Sequence, residues 1–129
     1  WLKKMQYDIS TTENIACITL EGNLNSLDLM FMFQSNDYKD VINQYKKILI
    51  DYTDISGVTL TAEDAIAITM LGKMDLENLG KISIVLAVNK NERDVMEKVT
   101  KSIFADSKSE VFVTNSKSSA LKILHSIPV

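Results

Sequence analysis

A single layered α/β domain, with a mostly parallel central sheet of about five strands and helices packed on it, is the fold this sequence predicts. Three observations carry that reading. Two apolar runs, Ile48-Leu49-Ile50 and Ile82-Ser83-Ile84-Val85-Leu86-Ala87-Val88, lack the alternation of a one-sided strand and read as interior strands covered on both faces. Between and after them, apolar residues recur at three- and four-residue spacing, as on helices. Strand and helix then alternate in the order β-β-α-β-α-β-α-β-α, which implies right-handed crossovers and parallel neighbours.

Met5-Gln6-Tyr7-Asp8-Ile9-Ser10 alternates apolar with polar, and Thr11-Thr12-Glu13-Asn14 supplies turn formers, so a hairpin is expected with a second strand from Ile15 to Glu21, ended by Gly22. Asn25 or Ser26 caps a first helix reaching to about residue 45, with a stripe of Leu27, Phe31, Tyr38, Val41, Ile42 and Tyr45. Ser35-Asn36-Asp37 is a second cap signal inside it and predicts a break. Lys46 to Tyr52 is the central strand, followed by an acidic turn at Asp54 and a loop through Gly57. Thr61-Ala62-Glu63-Asp64 has the spacing of a capping box and opens a helix with Ala62, Ile66, Ala67, Met70, Leu71 and Met74 as its buried stripe and Gly80 as its stop. Lys81 to Val88 is the next strand, and Asn89 to Asn91 turn into a helix whose Val95, Met96, Val99 and Ile103 face the core. Glu110 to Thr114 is an edge strand, Asn115 or Ser116 caps a last helix bearing Ala120, Leu121 and Leu124, and Pro128 marks its end.

The 129 residues suit one domain, 1–129, and 46% hydrophobic with 24% charged residues is a globular mixture. A formal charge of −3 argues against a general affinity for nucleic-acid phosphates or anionic lipid. The one cysteine, Cys17, lies in an apolar run as a small buried hydrophobe, and with no partner for a disulfide it fits a reducing cytoplasm. No basic-then-apolar leader is seen, and no apolar run approaches the roughly 18 residues of a membrane span, so a cytoplasmic protein is expected. The sequence begins at Trp1 rather than methionine, which leaves room for residues upstream.

A strand ending in Asp51-Tyr52-Thr53-Asp54, then Ser56-Gly57-Val58-Thr59 and a capped helix, resembles the sulfate transporter and anti-sigma factor antagonist (STAS) domain. Within it the SpoIIAA-like branch is the nearer likeness, through Leu20-Glu21-Gly22, the long first helix, Ile48 to Tyr52, Lys81 to Val85, and Val111-Phe112-Val113 with Ala120-Leu121. The resemblance covers most of the chain and implies a small bacterial-type module, without enzymatic activity or cofactor, that binds a protein partner. In the SpoIIAA-like branch it also implies an apolar small molecule, lipid- or quinone-like, as the alternative ligand. Regulatory STAS proteins carry a phosphorylatable serine in an Asp-Ser-Ser-Gly-like turn at the start of the helix after the central strand. No such tetrad stands here, and Thr61 is the nearest counterpart, among acids that repel an added phosphate.

Two sets of residues are therefore the candidates. Asp54, Ser56, Gly57, Thr59, Thr61 and Asp64 form a partner-binding or regulatory edge, where Thr61 also reads simply as a helix cap. Met30, Phe31 and Phe33, with Met70 and Met74, form an apolar ligand pocket between the first two helices and the sheet, or a homodimer face, against the plain alternative of core packing. Asp51, Asp54, Glu63 and Asp64 were they to gather would make a cation site or an acid/base pair, but turns and helix starts already favour acids. One histidine, His125, with one cysteine makes no zinc site, and no catalytic or metal residue is assigned.

Overall fold

The computed structural model describes residues 4–74, 80–105 and 108–128. Its elements run β1 (Gln6–Thr12), β2 (Ile15–Asn25), α1 (Ser26–Gln34), α2 (Asn36–Gln44), β3 (Lys47–Thr59), α3 (Ala62–Met74), β4 (Ser83–Ala87), α4 (Arg93–Phe104), β5 (Glu110–Thr114) and α5 (Lys117–Ser126). The strands lie in the order β1-β2-β3-β4-β5, with β1 antiparallel to β2 and all other pairs parallel.

That order dictates the layers. Successive right-handed crossovers stepping the same way across a sheet put their helices on the same face. The buried residues of α1 to α4 accordingly join one core with Ile18, Leu20, Ile48, Ile50, Ile84 and Leu86. Among the described helices only α5, which follows the last strand, covers the other face, where Ala120 and Leu124 pack on Ile15, Cys17, Leu49, Val85 and Ala87. β3 is the middle strand, and Lys47 to Tyr52 are buried without interruption, as a strand shielded on both sides must be.

The first helix breaks where the second cap signal stands. Ser35 closes α1, its N–H and hydroxyl both donating to the Met32 carbonyl at 3.0 and 2.6 Å. The same hydroxyl accepts from the Tyr38 N–H and so opens α2. Phe33 and Tyr38 pack edge to face across the break, ring centroids 5.2 Å apart.

Two strands outrun their expected ends. Gly22 does not stop β2; at φ 83° it sits at a register shift, and the strand continues to Asn25. β3 likewise continues past Asp54 to Thr59, so the expected loop at 55–60 is largely strand: Ile55, Gly57, Val58 and Thr59 pair with Gly22, Asn23, Leu24 and Asn25. The turn-forming Asp54, Ser56 and Gly57 mask β-branched neighbours whose pairing partners lie more than thirty residues back in the chain.

Three helical stripes are rotated from expectation. In α1, Leu27 and Phe31 are exposed while Leu29, Met32 and Phe33 are buried, because the break at Ser35 frees α1 from the phase of α2, which does bury Tyr38, Val41 and Ile42. In α3, Ile68 and Gly72 are buried, whereas Ala62, Ile66, Ala67, Met70 and Met74 are exposed and Leu71 is half-buried. A helix apolar on every side carries no phase for its sequence to reveal. In α4, Met96, Thr100, Ile103 and Phe104 face the core and Val95 faces out. The stop expected at Gly80 involves residues 75–79, which lie outside the described residues.

Candidate functional site

Beyond Asp51 the β4 ladder ends, at Ala87, while β2 and β3 stay paired to Asn25 and Thr59. The sheet thus narrows to a ribbon at its carboxyl end, and both α1 and α3 start within three residues of the ribbon's tip. Both starts are capped reciprocally. The Asp28 N–H donates to Asn25 Oδ1 at 3.0 Å and Asn25 Nδ2 donates to Asp28 Oδ2 at 2.8 Å. In α3 the Asp64 N–H donates to Thr61 Oγ1 at 3.0 Å, and the Thr61 N–H donates to Asp64 Oδ2 at 3.1 Å. Thr61 and Asp64 therefore form the expected capping box, and both first-turn carboxylates lie against the positive end of a helix dipole.

A side-chain bridge holds the ribbon shut. Asn23 Nδ2 donates to Thr59 Oγ1 at 3.1 Å, and a Cβ on Gly57 would lie 3.2 Å from Asn23 Oδ1, so glycine leaves that amide its place. Asn89, in the turn after β4, donates to the Thr53 carbonyl at 2.7 Å and ties the ribbon's base. Of the six predicted edge residues, Asp54, Ser56, Thr59 and Thr61 are exposed and Gly57 and Asp64 half-buried. They follow one another along a single rim from the end of β3 into α3.

The five predicted apolar residues divide. Phe33 is buried, Met30 half-buried, and Phe31, Met70 and Met74 are 63, 65 and 69% exposed. They do not enclose a pocket between the first helices and the sheet. The space beneath Met32, Phe33 and Tyr38, closed by Ile50, Tyr52 and Phe104, is a cavity of only about 10 Å³, which at most matches one water. Met70 instead lines an open cleft of about 550 Å³ between α3 and α4, walled by Leu60, Ile66, Val95 and Val99, with Thr61 at its head and Lys98 on its rim. Leu27 and Ile66, 61 and 62% exposed, are apolar surface residues that periodicity had hidden by assigning them to the core.

Behind the rim, Tyr52 turns into the core, where burial pushes its phenol up to about 12 against the opposing hydrogen bond from Thr100. Asp51 is buried and accepts from the Thr53 N–H and hydroxyl at 2.9 and 2.7 Å. Asp51, Asp54, Glu63 and Asp64 do not converge: among the described residues no three His, Cys, Asp or Glu side chains are grouped to hold a metal ion. Cys17 is buried with Sγ 3.7 Å from Thr19 Oγ1, while His125 is exposed in the last turn of α5, far along the sequence and on another element.

The unphosphorylated form of the anti-sigma factor antagonist SpoIIAA superposes on 95% of this chain and 100% of its own, with a TM-score of 0.57 at 13% identity. The fold is that of SpoIIAA. An uncharacterised protein of the DUF3478 family from Shewanella loihica PV-4, with a SpoIIAA-like fold, matches 93% of both chains at a TM-score of 0.55 and 15% identity. An anti-sigma factor antagonist from Mycobacterium paratuberculosis matches 95% of both chains at 0.57 and 10% identity. No protein-family model matches the sequence, and no curated protein matches it. What the SpoIIAA-like proteins share with this chain is the backbone, so the STAS resemblance read from the sequence holds at the level of the fold. No described helix is long and apolar enough to cross a membrane.

Proposed function

We propose that this chain is a non-enzymatic, STAS-like regulatory or adaptor domain that binds a protein partner through the rim at residues 54–64 together with the outer face of α1. One observation supports this above others. Leu27, Phe31, Ile66, Met70 and Met74 are each more than 60% exposed on two adjoining helices, beside a polar rim already tied into fixed geometry. Scattered single apolar side chains on a surface are ordinary, but several large ones on neighbouring elements mark an interaction face. Hot-spot energetics favour large apolar anchors framed by polar groups, and a preformed rim lowers the ordering cost of binding. That two of the matched structures are anti-sigma factor antagonists, proteins named for antagonising another protein, supports a protein as the partner.

The lipid- or quinone-like ligand gains no support from the cavity of about 10 Å³ under α1 and α2. The rim acts in this proposal as a fixed docking edge, since a phosphate on Thr61 would sit against the Asp64 carboxylate that now receives its N–H. The test is affinity purification from the native host with the wild-type chain, Phe31→Asp, Thr61→Glu, and Lys122→Glu on α5 as a control. The proposal expects a stoichiometric partner that Phe31→Asp releases and Thr61→Glu weakens, with the control unchanged. A partner held equally by all four chains overturns it, as does a homodimer by light scattering that Phe31→Asp dissociates with no other protein bound.

A further inference from the structure

We infer that the amino-terminal edge of the sheet carries an anion-binding site centred on Lys47, suited to a small organic phosphate or carboxylate. Lys47 opens β3 and is only 5% exposed. Its stem is buried while its Nζ keeps contact with solvent, the usual compromise for a long cationic side chain. Among the described residues, Lys47 Nζ has neither an ion pair nor a hydrogen bond. It lines a cavity of about 650 Å³ between the starts of β3 and β4 and the end of α5, within the size range of small-molecule sites.

The surroundings supply the rest of a site. Lys46 and Lys81, both exposed, line the same cavity, so three lysines border it in a chain whose net charge is negative. Lys81 is paired with Glu110, whereas Lys46 has no such partner among the described residues. Tyr45, Ile127 and Pro128 add apolar surface to its lining. An oxyanion with an apolar or aromatic body matches this pairing of charge and apolar surface, and a bare inorganic ion matches half of it. The competing account is that the carboxyl end of α5 satisfies Lys47 through its dipole. Two of its last-turn carbonyls are already engaged, that of Ile123 by the Ser126 hydroxyl at 2.7 Å and that of Leu124 by the Ile127 N–H at 3.3 Å. This site stands at the opposite end of β3 from the rim, about 23 Å of extended chain from Asp54 and about 40 Å from Thr59, and does not depend on the proposed partner.

The test is an NMR titration of the full chain, ¹H–¹⁵N correlated, with phenyl phosphate, benzoate and inorganic phosphate in turn. Saturable shifts confined to the amides around Lys47 and Ser83, stronger for phenyl phosphate or benzoate than for inorganic phosphate, are expected. Affinity should fall about tenfold or more in Lys47→Met, the loss of one charge-assisted contact, and stay unchanged in Lys98→Met on α4. Should Lys47→Met not fold, Lys46→Met with Lys81→Met alters exposed positions only and should weaken binding several-fold. Weak shifts spread over every lysine-bearing surface, or binding that neither variant diminishes, overturn the inference.

Discussion

Gly72→Ala should change sign with the residue at position 103. Gly72 is buried in α3 where it passes α4, and a Cβ built there lies 2.9 Å from Ile103 Cγ2 and 3.3 Å from its Cγ1. Carbon atoms at rest sit about 3.5–4.0 Å apart, and Ile103 is itself buried and stiff at its branched Cβ, so it has little room to yield. Overpacking costs about 1–3 kcal/mol, while alanine in place of glycine inside a helix returns about 1 kcal/mol. The net expectation is a loss of about 1 kcal/mol, a fall of roughly 3–4 °C in Tm for a chain of this size. In an Ile103→Ala background the clashing methyl is gone. Although that background is itself destabilised by about 2–5 kcal/mol, Gly72→Ala within it should now raise stability by about 1 kcal/mol or more, through helix propensity and partial filling of the void. Urea unfolding of the four proteins closes a double-mutant cycle whose coupling should be about 2 kcal/mol. A Gly72→Ala variant more stable than the parent, or a cycle without coupling, would show that glycine does not set the approach of α3 to α4, and the cleft beside Thr61 would lose its structural basis.

Thr61→Ala should cost about 1 kcal/mol by removing the cap of α3, with Thr61→Ser restoring most of it in thermal melts; an unchanged melt in Thr61→Ala would refute the cap. Tyr52, its phenol raised to about 12 by burial, contributes stability that is complete below the unfolded value near 10 and is lost as pH rises toward 12. Urea midpoints should therefore fall from pH 10 upward more steeply in the wild type than in Tyr52→Phe, and one of the four tyrosines should ionise only on unfolding when absorbance near the phenolate band is followed. Glu13 holds φ 55° in the β1–β2 turn. Glu13→Gly relieves a left-handed strain of about 1–2 kcal/mol against a smaller entropic loss, so a Tm higher by a few degrees is expected, and a lower one would mean the Glu13 side chain stabilises the turn.

The sheet was legible because its signals are local. Ile48 to Ile50 and Ile84 to Val88 could not lie anywhere but in a doubly covered interior, and all are buried. The hairpin, the break at Ser35 and the box at Thr61 and Asp64 were legible for the same reason, since each is written within four residues. The rim's residues were named, yet as a loop. Strand pairing of Gly57 and Thr59 with Asn23 and Asn25 is a long-range fact, and local turn chemistry in Asp54-Ile55-Ser56-Gly57 pointed the other way. On α3 the sequence points Ile66 to the core and leaves Met70 and Met74 open between core and an apolar surface, because Ile66, Ile68, Met70 and Leu71 offer several equivalent faces, and the packing of Gly72 against Ile103 helps choose among them. A glycine inside an otherwise apolar helix was the one available sign of that close approach.

The length of β3 links the fold to the surface proposed for binding. Had β3 ended with β4, opposite Ala87, the chain would reach α3 through a longer unpaired stretch after the shared ladder of β2 and β3. Because β2 and β3 run on together to Asn25 and Thr59, both helices start from one tip, and the Asn23–Thr59 bridge sets the distance between their caps. A two-stranded ribbon is marginal alone, and here Leu24 and Ile55, both buried, root it in the core shared with α1 to α4. The apolar side chains of α1 and α3 are therefore displayed side by side by the same strand pair that carries the polar rim, so a partner reaching one set meets the other in a fixed register.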